Sequence, residues 1–99
     1  RHDNIIAKTN EDFLANVSIL NNIPLREREI EDFEYVYLAD TFLLMIDRLR
    51  RDSLNLMKID EDANKKEIEG LDKCLEMALK TFDELNSNWK KRLEEMQKN

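Results

Sequence analysis

The sequence predicts an all-α fold: a three-helix arrangement in which a shorter N-terminal helix precedes a long, coiled-coil-like antiparallel hairpin. Three observations carry this. One glycine and one proline in 99 residues leave little material for sheets or tight turns. Residues 33–49, FEYVYLADTFLLMIDRL, are too apolar around their whole circumference for an ordinary surface helix. Finally, Ile68, Leu71, Leu75, Ala78, Phe82, Leu85, Trp89, Leu93 and Met96 repeat at steps of three and four, the rhythm of a single helical stripe. All 99 residues are expected to form one helical domain.

Residues 1–9, RHDNIIAKT, mix polar and apolar types without a cap, which predicts a frayed end. The chain begins with Arg1 rather than Met, which predicts an excised fragment with room in its missing flanks for features that would name a function. Neither end has the pattern of a signal peptide. The first helix is predicted over about 10–21, with Thr9 or Asn10 as N-cap and Glu11 and Asp12 favoured by the helix dipole. Its stripe is Phe13, Val17 and Leu20. Asn21, Asn22 and Pro24 end it, and because proline suits a first turn, a second helix is predicted to start at once, over about 24–59.

On a helical wheel the apolar residues of the second helix fall into three sectors rather than one. Tyr35, Leu38, Phe42, Met45, Leu49, Leu56 and Ile59 form the first. Ile30, Phe33, Tyr37 and Leu44 form the second, which the first helix is expected to cover with Phe13, Val17 and Leu20. Val36, Ala39, Leu43 and Ile46 form the third, continued by Leu54 and Met57 and interrupted mainly by Arg50.

The rhythm stops over residues 59–67, IDEDANKKE, where Asp60 can cap and Asn64 with Glu67 has the spacing of a capping box. A reversal there predicts a third helix over about 64–97. A single unbroken helix is disfavoured by register, since the main seam continued past Leu56 would reach Ala63 and Gly70 instead of the stripe that begins at Ile68. Folding the chain at Glu61 and Asp62 sets Leu56 opposite Ile68, Leu49 opposite Leu75, Met45 opposite Ala78, Phe42 near Phe82, Leu38 opposite Leu85 and Tyr35 near Trp89. Ile30 falls near Leu93. Asn86, Ser87 and Asn88 are weak helix formers and predict a kink, and Gly70 predicts fraying near the turn.

Composition excludes most chemistry. A net charge of −6 argues against a nucleic-acid surface, which calls for clustered Lys and Arg. The clusters Arg48, Arg50, Arg51 and Lys90, Lys91, Arg92 have acids beside them and read as solvated faces. One cysteine, Cys74, excludes an internal disulfide, fits a reducing compartment and is expected to pack as a small hydrophobe. With one histidine, His2, neither a zinc site nor a thiol–imidazole pair can be assembled, and one glycine permits no phosphate loop. No enzyme, cofactor or metal is expected.

The expected role is protein–protein interaction: a helical structural subunit or dimerisation domain of a larger intracellular assembly, with cytoplasm and nucleus not distinguished. Its expected interface is Val36, Ala39, Leu43, Ile46, Arg50, Leu54 and Met57, and its expected partner another helical chain or a copy of itself, as homodimer or hetero-oligomer. One alternative is a monomeric adaptor that captures an amphipathic helix or peptide at its groove or hairpin tip. A weaker one is lipid contact through basic residues near the tip. The plainest alternative is a self-contained three-helix bundle with part of its apolar surface in water.

Overall fold

The computed structural model describes residues 10–25 and 29–98. The chain forms three helices, α1 (Asn10–Asn21), α2 (Asp32–Asp60) and α3 (Lys65–Gln97), packed into a rod of 57 × 22 × 18 Å. Among the described residues there is no strand. The expected fraying of residues 1–9 lies outside the described part.

α2 and α3 form the antiparallel hairpin, in the register that the facing stripes require. Tyr35 and Trp89 stack with ring centroids 4.6 Å apart, and Phe42 and Phe82 lie 6.2 Å apart. Toward the turn, the hydroxyl of Ser53 donates to the carboxylate of Asp72 at 3.0 Å. Between these markers Leu38, Phe42, Met45, Leu49, Leu71, Ala78 and Leu85 are buried in one continuous core. Each large side chain enclosed there contributes about 1.5–3 kcal/mol, so this seam is the main source of stability.

The reversal is built without glycine, and no described residue has a positive φ. The Asp60 carboxylate accepts from the Ala63 amide at 3.0 Å, and the Asp60 carbonyl accepts from the Asn64 amide at 3.1 Å. Here the expected capping box fails: Asn64 makes no side-chain cap to α3. Its side-chain amide instead donates back to the Leu56 carbonyl at 3.3 Å, in the last turns of α2. α3 then runs as one helix through Gly70 and through Asn86–Ser87–Asn88, with no new start before Trp89.

α2 starts at Asp32 rather than near Pro24. Ahead of it, Leu25 and Ile30 are fully buried. The Asn88 amide donates to the Leu25 carbonyl at 2.6 Å, and the Arg92 guanidinium donates to the Ile30 carbonyl. Backbone carbonyls that a helix would have paired internally are thus answered by side chains of α3.

The position of α1 also differs from expectation. It lies against α3, running in the same direction, and reaches α2 through Phe13, over whose ring the Arg48 guanidinium sits at 4.0 Å. The Asn21 amide donates to the Cys74 carbonyl at 3.3 Å, and the Thr81 hydroxyl contacts the Asn21 carbonyl at 3.5 Å. Phe13 and Val17 are fully buried there. The groove between two helices encloses a side chain from both sides, whereas the outer sector of α2 offers contact from one. Phe33, Tyr37 and Leu44, which α1 was expected to cover, are therefore exposed.

Candidate functional site

The consequence of this packing is a helix with two apolar faces. The core face of α2, centred on Leu38, Phe42, Met45 and Leu49, points at α3. On the opposite side Phe33 is 77 % exposed, Val36 65 %, Leu43 55 % and Leu54 54 %, with Tyr37, Leu44 and Met57 also exposed. Exposed large apolar residues also occur on α1 (Leu14, Ile19) and α3 (Met77, Leu79, Leu93, Met96), but α2 carries more of them than both other helices together, and a contiguous apolar patch of this kind is what an interaction surface would present.

The residues expected to bind a partner divide between the two faces. Val36, Leu43, Arg50, Leu54 and Met57 are exposed on the outer side. Ile46 is 6 % exposed and belongs to the core, and Ala39 is half-buried against it. The reason is spacing: Ile46 follows Phe42 by four residues and precedes Leu49 by three, which puts it on the edge of their stripe. Phe33, Tyr37 and Leu44, assigned by the sequence to the cover of α1, join the outer face instead. Their signal was present in the wheel, but which sector α1 would choose was not.

Charge is graded along α2 and the residues just before it. Residues 29–40 hold Glu29, Glu31, Asp32, Glu34 and Asp40 and no base. Residues 47–58 hold Arg48, Arg50, Arg51 and Lys58 against Asp47 and Asp52. Two local ion pairs, Arg51–Asp47 at 3.0 Å and Arg48–Asp52 at 3.7 Å, join residues one turn apart. At two-thirds exposure the first of these is worth only a few tenths of a kcal/mol.

A second feature lies beside the hairpin tip. An apolar cavity of about 420 Å³ is lined by Phe13, Leu14, Leu56, Leu71 and Cys74, with Asp52, Asn55 and Glu67 supplying its polar wall. Gly70 forms part of the lining, and a Cβ placed there would meet nothing within 4 Å. Among the described residues no three His, Cys, Asp or Glu side chains converge as a metal site would require, and no helix is long and apolar enough to cross a membrane. Comparison with protein-family models, with curated proteins and with solved structures gives no match.

Proposed function

We propose that the chain is a non-catalytic protein–protein interaction module, a helical structural subunit or dimerisation domain whose α2 binds a second helical chain through its outer face. One observation carries this reading: Phe33, Val36, Leu43 and Leu54 stand in solvent directly behind a fully packed core face. Shielding such a side chain from water is worth about 1.5–3 kcal/mol, and nothing within the described chain does so.

A photoreactive residue in place of Leu43, in chain expressed in its native cells, tests this. Adducts to protein are expected from that position and not from Glu76, an exposed residue on α3. Equal labelling from the two positions would refute the reading.

A second reading, a monomeric adaptor that takes one side chain of an amphipathic helix or peptide at the tip, is favoured by the cavity lined by Phe13, Leu56 and Leu71. It ranks lower because the outer face of α2 offers far more apolar surface.

A further inference from the structure

Eight outer residues of α2 follow each other at alternating steps of three and four: Phe33, Val36, Asp40, Leu43, Asp47, Arg50, Leu54 and Met57. All eight are exposed. This is the spacing of a coiled-coil seam, with Phe33, Asp40, Asp47 and Leu54 at one core position and Val36, Leu43, Arg50 and Met57 at the other. The arrangement has a property that a surface for an unrelated chain has no need of: it complements itself.

In an antiparallel pair of such helices, each residue of one core position faces a residue of the other type. The register centred on Met45 sets Phe33 against Met57, Val36 against Leu54, Asp40 against Arg50 and Leu43 against Asp47 of the second helix. Two layers are apolar on both sides, one joins an acid to a base, and one is mixed. In the mixed layer Asp47 keeps its Arg51 partner at 3.0 Å and can lean to the rim. Outside the seam, the acidic end of each α2, with Asp32 and Glu34, lies along the basic end of the other, with Arg51 and Lys58. A parallel pair would do the opposite, stacking Asp40 on Asp40, Asp47 on Asp47 and Arg50 on Arg50.

We infer that the occupant of the outer face is a second copy of this chain, bound antiparallel through α2 about a two-fold axis near Met45. This rests on the interaction reading and deepens it by naming the partner. A two-fold contact requires one patch to match itself when reversed. The face does so in shape, apolar against apolar at both ends, and in sign, Asp40 against Arg50. Two hairpins joined this way put four helices side by side at the centre, with each α2 covered by its own α3 on one face and by the other α2 on the other.

The test is sedimentation equilibrium of the whole chain across a concentration series, for wild type, Asp40→Arg, Arg50→Asp and an equimolar mixture of the two variants. Wild type is expected to reach the mass of two chains. Each single variant creates two like-charge layers and is expected to weaken association at least about tenfold, about 1.4 kcal/mol. The mixture restores an acid–base pair in both layers and is expected to recover wild-type affinity. A dimer that ignores both substitutions would overturn the antiparallel register while leaving an interaction surface in place. A wild-type chain that keeps the mass of one molecule at every concentration would overturn self-association altogether. The adducts from position 43 would then still decide whether a different protein binds there, so the two ideas fail separately.

Discussion

Arg92 shows how much a single side chain can organise in this molecule. Its guanidinium donates to the Ile30 carbonyl, lies 5.5 Å from the centre of the Trp89 ring, and sits 3.8 Å from both Glu31 and Asp32 at the first turn of α2. The two carboxylates are mostly exposed, so those pairs add little. The bond to the carbonyl of fully buried Ile30 matters more, because its loss leaves a polar group without a partner. Arg92→Leu, which keeps most of the apolar stem, is expected to lower unfolding free energy by about 1–2 kcal/mol in urea titration. A change below a few tenths would show that water replaces the guanidinium at no cost. In the sequence Arg92 reads as one of three basic residues on a solvated face. Asn86 and Asn88 likewise read as helix weakeners, yet Asn86 accepts from the Tyr35 hydroxyl at 2.9 Å and Asn88 donates to Leu25. Their partners lie 51 and 63 residues away, beyond the reach of any local pattern.

At the scale of the element, the hairpin was legible because both of its helices carry regular stripes and the polar break between them shifts the phase. Tyr35 meets Trp89 and Phe42 meets Phe82 as antiparallel register requires. The start of α2 was not legible, since Pro24 is as welcome in a first turn as outside a helix. Two α3 side chains, Asn88 and Arg92, hold the carbonyls of Leu25 and Ile30 ahead of it. Gly70 is a separate case. It sits inside α3, where glycine costs about 1 kcal/mol relative to alanine, and the space at its Cβ is open. Gly70→Ala is therefore expected to stabilise the chain by about 0.5–1 kcal/mol, read as a rise in the urea midpoint at constant slope. A fall in the midpoint would mean that the wall of the tip cavity closes on this position.

For the whole molecule, the sequence puts apolar residues on more sides of α2 than one neighbouring helix covers, and the structure shows which of them stay exposed. Ile46 and Ala39 turn to the core because they flank Phe42 and Leu49. Phe33 and Leu44 turn outward because α1 seats itself against α3, where its Phe13 and Val17 are fully buried. A wheel gives the angular position of each residue but not the choice a short helix makes between a groove and a single exposed face. The central claim is that neighbouring residues Phe42 and Leu43 serve different purposes, one holding the chain together and one facing outward. Urea unfolding of Phe42→Leu and Leu43→Asp in dilute solution tests it most directly. Phe42→Leu is expected to cost about 1–2 kcal/mol, and Leu43→Asp to leave the unfolding free energy in dilute solution within about 0.5 kcal/mol of wild type. Loss of stability in Leu43→Asp equal to that in Phe42→Leu would contradict the account, because it would place Leu43 inside the fold of a single chain.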